Sequence, residues 1–165
     1  MVSTGDTAPD FTVPKAGGEA YDDVTEFTLS DSIGGGPLVL AFVPAAFTSG
    51  CTSELTAVRD RWADFEELEA NVHAISVDLP FAQNIWIDRE SLPFSLLSDW
   101  DHRVIHQYDV VRTDLYGSIE SAQRSIFVID NSGTITFRWL RTEEQVDYDR
   151  LVDSTLEAVE AAKTA

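Results

Sequence analysis

Leu38-Val39-Leu40-Ala41-Phe42-Val43 is the stretch that decides the fold. An unbroken apolar run of this length, set between turn residues, reads as a strand buried on both faces. Such strands lie in the middle of a sheet with helices on either side. The preceding Gly34-Gly35-Gly36 is the one glycine cluster in the chain. It lacks the Gly-Lys-Ser/Thr ending of a phosphate-binding loop and reads as a turn. Beyond the strand, Leu55, Val58, Trp62, Phe65 and Leu68 recur at helical steps, predicting one helix from Thr52 to about Ala70 with Asn71 as its stop. Val72 to Val77 is a second apolar strand, closed by Asp78 and Pro80.

Further along, Phe81 to Glu90 reads as a helix, Phe94 to Leu97 as a short strand and Asp101 to Gln107 as a short helix. Ser125 to Ile129 and Thr134 to Trp139 flank Asp130-Asn131-Ser132-Gly133, a hairpin turn signal. A last helix from about Glu143 to Ala162 aligns Leu151, Thr155, Val159 and Ala162 on one face. A parallel βαβ half joined to an antiparallel hairpin and a closing helix is an α/β, thioredoxin-like arrangement: a central mixed sheet flanked by helices. The 165 residues make one such domain, spanning 1–165.

Composition narrows the function. With 44% hydrophobic residues the chain can bury a core, which excludes wholesale disorder. Against 11 basic residues stand 29 acidic ones, a net charge of −18. Nucleic acid and anionic membranes are therefore poor partners, since both are bound through Lys and Arg. The start of the chain has no basic n-region followed by an apolar stretch, and the longest near-apolar run, Pro37 to Phe47, has 11 residues. Neither reads as a signal peptide or a membrane span, so the expected location is the cytoplasm. A single cysteine, Cys51, excludes an intramolecular disulfide and a four-cysteine metal site.

Cys51 follows the central strand and its loop, at the start of a long helix, where unpaired N–H groups favour an anion. The thiolate is the nucleophilic form of cysteine. Taken alone, a lone cysteine on the stripe of Leu55, Val58 and Trp62 reads as a small buried hydrophobe. Its neighbours change the reading: Pro44-Ala45-Ala46-Phe47-Thr48-Ser49-Gly50-Cys51 has the form Pro-x-x-x-Thr-x-x-Cys, with Glu54 three residues on. Ala8-Pro9-Asp10-Phe11, Ile75-Ser76-Val77-Asp78, Pro93 to Asp99 and Arg124 to Asp130 extend the pattern over nearly the whole chain.

With these segments the chain resembles the peroxiredoxins, most closely their AhpE-like, one-cysteine branch. The resemblance implies a thiol-dependent peroxidase acting on hydrogen peroxide or organic hydroperoxides through a cysteine sulfenic acid. It also implies a homodimer formed near the loops around Pro44 and Trp86. In this reading Cys51 is the nucleophile, while Thr48 and Arg124 position the peroxide and take up developing charge. Pro44 shields the sulfur, the Gly50 backbone N–H assists, and Glu54 holds the Arg124 guanidinium in place. The position three before Cys51 is Thr48, so Cys-x-x-Cys dithiol chemistry is impossible and an external thiol or redoxin protein must reduce the sulfenic acid. No metal or organic cofactor is required, because sulfur carries the electrons.

Two readings of other classes stand beside this one. In the first, the thioredoxin-like domain is kept as a binding or holdase module with an inert Cys51. In the second, His102 and His106, four apart on a helix beside Asp99 and Asp101, hold a divalent cation. His73, in an apolar strand, reads as a core or edge histidine rather than a base. Glu66-Glu67 and Glu143-Glu144 read as solvated helix faces, and Trp62 as core.

The basic residues comprise nine Arg and only two Lys, Lys15 and Lys163. Such an acidic, lysine-poor surface is tolerable in molar salt, where the Debye length is about 3 Å and carboxylate repulsion is screened. The composition points to a salt-loving source organism, the other reading being an acidic protein of an ordinary cytoplasm kept soluble by its charge. A salt titration followed by circular dichroism is expected to show the fold weakening as salt is withdrawn. Full folding in dilute buffer would overturn that expectation.

Overall fold

The structure, a computed structural model, describes residues 2–164. The apolar run forms strand β3 (Leu38–Phe42), buried at every position. It is the fifth strand of a seven-stranded sheet built from β1 (Thr12–Ala16), β2 (Val24–Thr28), β3, β4 (Asn71–Ser76), β5 (Ser95–Ser98), β8 (Ser125–Ile129) and β9 (Ile135–Leu140), in the order β2-β1-β5-β4-β3-β8-β9. Strands β3, β4 and β5 run parallel; β8 and β9 form the expected antiparallel hairpin, and β1 joins β5 antiparallel. A separate hairpin, β6 (Val111–Leu115) with β7 (Ile119–Ala122), stands off the sheet.

Side chains alternate across the sheet and divide the core in two. Val39, Ala41, Val43, Ile126 and Val128 face one layer, where they meet helices α2 (Ser49–Asp60), α4 (Pro80–Glu90) and α6 (Tyr148–Thr164). Leu38, Leu40, Phe42, Phe127 and Ile129 face the other, against Tyr108 and helix α5 (Arg103–Gln107). The expected face of α6, with Leu151, Thr155, Val159 and Ala162, is buried.

Several boundaries differ from those read in the sequence. The helix expected from Thr52 to Ala70 is two helices, α2 and α3 (Trp62–Glu67), broken at Arg61, whose φ and ψ are −112° and 20°. Arg61 is held in the break by Asp64 and Asp153, and Trp62 turns against Phe65 and Phe94. The stop is Glu69 at φ 57°, with the Ala70 N–H donating back to the Phe65 carbonyl, rather than Asn71. Helix α6 begins at Tyr148 because Asp147 caps it, its carboxylate accepting from the Arg150 N–H at 3.1 Å. Glu143 and Glu144 therefore lie in an exposed loop, not on a helix face, and their carbonyls accept from the Arg141 guanidinium. The sequence reading named no strand for β1, β2, β6 or β7, nor the single turn α1 (Leu29–Ser32).

Candidate active site

The register of β3 against β8 builds the site. Phe42 pairs with Ser125, so Arg124 stands where the chain leaves β3 for the loop that runs to α2. Arg124 shares the parity of Ile126 and Val128, which sends its side chain to the layer holding Cys51. The Arg124 Nη2 donates to Cys51 Sγ at 3.5 Å, and the two residues are 5% and 0% exposed.

Cys51 sits in the first turn of α2, where Thr48 is the N-cap residue. The Thr48 hydroxyl donates to the Ala45 carbonyl at 2.8 Å and makes no capping bond. That geometry leaves the Thr48 oxygen lone pairs, and the N–H groups of the first turn, free of a capping side chain. Gly50 lies directly under the guanidinium: a Cβ there would meet Arg124 Nη2 at 3.0 Å and the Tyr148 hydroxyl at 3.4 Å. Pro44 is buried at the base of the loop.

Glu54, one turn beyond Cys51, is 1% exposed and faces Arg124, with Oε2 3.6 Å from Nη1. The separation is that of an ion pair without a hydrogen bond, and neither carboxylate oxygen has a hydrogen-bond partner. The side chain borders apolar Val39, Ala41, Leu55 and Ile126. Burial pushes Glu54 up to about 7, against the pull of Arg124. For Arg124, burial works against the charge, but Glu54 and Cys51 outweigh it and hold the guanidinium above its ordinary value.

Two groups that the sequence reading did not single out belong to this neighbourhood. The Asp78 carboxylate accepts from the Ala46 N–H and the Ser76 hydroxyl, both at 2.8 Å, tying the loop to the end of β4. Its place directly after a buried strand was the available signal. Tyr148, the first residue of α6, lays its ring 5.6 Å from the Arg124 guanidinium carbon. Nothing in the sequence marks it, since the β8–β9 hairpin separates the two residues. The loop also carries Phe47 at φ 67°, held beside Trp86 (centroids 6.2 Å apart) and under Arg89. Trp86 is fully buried, its indole N–H donating to Thr52 Oγ1 at 3.3 Å.

The two aspartates named for a cation site are taken up by other partners. His102 adopts φ 65° as the N-cap residue ahead of α5. Asp99 caps Val104 and Ile105, Asp101 pairs with Arg103, and both imidazoles turn to Glu120 Oε1 at 2.8 and 3.2 Å. Among the described residues no group of three or more His, Cys, Asp or Glu side chains is arranged to hold a metal ion. An open groove of about 780 Å³ beside His102, His106 and Trp100 is separate from the residues around Cys51. His73 is half-buried with its ring centroid 4.7 Å from that of Phe27, and desolvation of the imidazole lowers it to about 4, so it is neutral at pH 7.

A buried cysteine at a helix start, under a guanidinium, on a thioredoxin-like sheet defines the class as thiol-dependent redox proteins. Residues 4–138 match the AhpC/TSA family. The alkyl hydroperoxide reductase E of Mycobacterium tuberculosis is 35% identical over 98% of this chain and 100% of its own length. The chloroplastic peroxiredoxin Q of Gentiana triflora is 31% identical over 98% of this chain and 68% of that protein. The crystal structure of peroxidoxin BcpB from Mycobacterium tuberculosis superimposes with a TM-score of 0.83 at 32% identity, covering 98% of each chain. The chain belongs to the AhpC/TSA family of peroxiredoxins and is a thiol-dependent peroxidase.

The position of Glu54 has a consequence for stability. Its ordinary value is 4.5 and its folded value about 7, so the native state keeps a proton that the unfolded chain has lost. Across that interval unfolding releases the proton, and this contribution to stability falls as pH rises. Urea unfolding of Glu54→Gln and the parent from pH 4.5 to 8 is expected to show the variant gaining relative stability with pH, on the order of 1–3 kcal/mol in total. A difference that stays flat over the range would refute the assignment.

Proposed function

We propose that the chain reduces hydrogen peroxide or small organic hydroperoxides through Cys51 alone, with an external thiol completing the cycle. The observation that carries this reading is the Arg124 Nη2 to Cys51 Sγ contact of 3.5 Å inside a buried site at a helix start. The Cys51 thiolate attacks one peroxide oxygen in line. The S–O bond forms as the O–O bond breaks, and the departing oxygen leaves as water or alcohol by taking the proton of the attacked oxygen, while a proton from solvent converts the resulting Cys51 sulfenate to the sulfenic acid. Arg124 stabilises the charge that grows on the leaving oxygen, and Thr48 Oγ1 accepts the peroxide O–H. The Gly50 N–H adds a backbone donor, Pro44 keeps bulk water from the sulfur, and Glu54 holds Arg124 from α2.

Cys51 then stands as a sulfenic acid with no second cysteine in the chain. A first external thiol displaces hydroxide, which leaves as water, and forms a mixed disulfide. A second thiol attacks that disulfide and regenerates the Cys51 thiolate. A small thiol or a redoxin protein can supply both equivalents.

The proposal extends to a single domain over 1–165 working as a homodimer in a salt-rich cytoplasm. Phe81, Ile85 and Arg89 follow one another at i, i+4 and i+8 on α4, and Phe47 lies beside Arg89. Phe47, Leu79, Phe81 and Ile85 are between 44% and 55% exposed, an apolar rim next to the Cys51 loop that a second copy would cover. No helix among the described residues is long and apolar enough to cross a membrane.

Mass spectrometry after one equivalent of hydrogen peroxide is expected to find one added oxygen on Cys51. Turnover should vanish in Cys51→Ser and fall by about 10²-fold or more in Arg124→Ala, with the circular dichroism spectrum retained. Turnover that survives in the serine variant would refute the mechanism. Gly50→Ala is expected to slow oxidation by about tenfold while helix α2 is retained, since a methyl group 3.0 Å from Nη2 displaces the guanidinium. An unchanged rate would show that the position of Arg124 does not matter.

A further inference from the structure

Arg124 is paired on one side only. Its Nη2 reaches Cys51, while Nε and Nη1 are buried without a hydrogen-bond partner, and the Glu54 carboxylate stays 3.6 Å away. A guanidinium that is 5% exposed and only partly hydrogen-bonded has every electrostatic reason to swing toward water. What lies over it is the face of Tyr148, whose ring centroid is 5.6 Å from the guanidinium carbon. The negative face of an aromatic ring attracts a cation at this distance, and more strongly where water is excluded. The Tyr148 hydroxyl comes within 3.4 Å of the point where a Gly50 Cβ would sit, so the ring spans from Arg124 to the first turn of α2.

We propose that Tyr148 is a positioning residue for the peroxidase reaction, its ring clamping the Arg124 guanidinium against Cys51 from the α6 side. The inference rests on the reading of Cys51 and Arg124 given above. Backbone geometry supports the clamp as a built feature. The Asp147 cap fixes the start of α6 through the Arg150 N–H, and the Leu151 N–H donates to the Asp147 carbonyl at 3.0 Å. Tyr148 is thus the first residue of a helix whose start is pinned, and α6 packs on both α2 and β8. On the other side, the Arg124 carbonyl accepts from the Arg141 N–H at 2.9 Å, so the arginine backbone is equally fixed. With both backbones held, ring and guanidinium meet without a large loss of freedom.

The clamp acts through the ring face rather than the hydroxyl, and this separates it from a role in packing or hydrogen bonding. The second-order rate of Cys51 oxidation by hydrogen peroxide is to be measured for the parent, Tyr148→Leu, Tyr148→Phe and a variant carrying pentafluorophenylalanine at 148. Tyr148→Leu is expected to be slower than the parent by about 3–30-fold, the range a desolvated cation–π contact supplies. Tyr148→Phe, which keeps the ring, is expected to recover most of the rate. The fluorinated residue has nearly the same shape as phenylalanine but lacks a negative face, and it is expected to be as slow as the leucine variant.

Equal rates for the phenylalanine and pentafluorophenylalanine proteins would overturn the proposal, as would a leucine variant as fast as the parent. Should the leucine protein fail to fold, the two aromatic variants still decide the matter. A parent protein that does not react with peroxide at all would instead bring down the mechanism under Proposed function, so the two failures are distinguishable.

Discussion

A guanidinium taken almost wholly out of water dictates the arrangement of this site. Burying a charge without compensation costs many kcal/mol, and a buried cation is tolerated only when its neighbours supply negative potential. Around Arg124 that potential comes from three directions: the Cys51 sulfur, the Glu54 carboxyl and the Tyr148 ring. None of the three is a full, short ion pair. The arginine is therefore left with donor capacity, and a group that develops negative charge beside it during reaction gains from the part of the guanidinium the protein leaves unpaired. A tight bidentate salt bridge to Glu54 would have quieted the same cation.

The β3–β8 register makes this placement possible, and it follows from hydrophobic patterning. Leu38 to Phe42 and Ser125 to Ile129 are buried on both faces, and pairing them out of register by one residue would move Arg124 to the opposite layer, that of Phe42, Ile105 and Tyr108. The core therefore holds the functional geometry. Phe42 and Ser125, opposite one another at the strand ends, set the distance between a loop residue and a residue far along the chain.

The elements legible in the sequence were those whose burial leaves a pattern. The central strand, the β8–β9 hairpin and the buried face of α6 are apolar at the period their structure demands, and the fold brings Arg124 to the Cys51 that ends the Pro44-to-Cys51 motif. Strands β1 and β2 were not legible. They lie at the sheet edge, mix Pro14, Lys15 and Glu26 with few buried residues, and gain their order from partners elsewhere in the chain. The break at Arg61 was hidden for a related reason: the apolar spacing of Trp62 and Phe65 suits a continuous helix, and it is the distant Asp153 that holds the interruption. Asp147 and Tyr148 show the same limit in the site. A capping carboxylate and a ring over a cation are contacts between segments, and local periodicity carries no trace of them.

Glu54 and Tyr148 hold the same cation by forces that respond differently to pH. With Glu54 pushed up to about 7, its carboxyl gains a proton in mildly acidic conditions and its attraction for Arg124 fades there. Tyr148 is shifted the other way from neutrality, raised above its ordinary value by burial, so its ring stays uncharged and its face stays negative throughout. The carboxyl strengthens the hold on the guanidinium as pH rises, and the ring maintains it when the carboxyl is neutral. A site with the carboxylate alone would lose its positioned cation at the pH where Glu54 protonates. The two anchors together keep Arg124 beside Cys51 over a wider range, at the cost of a buried acid whose ionisation works against the fold.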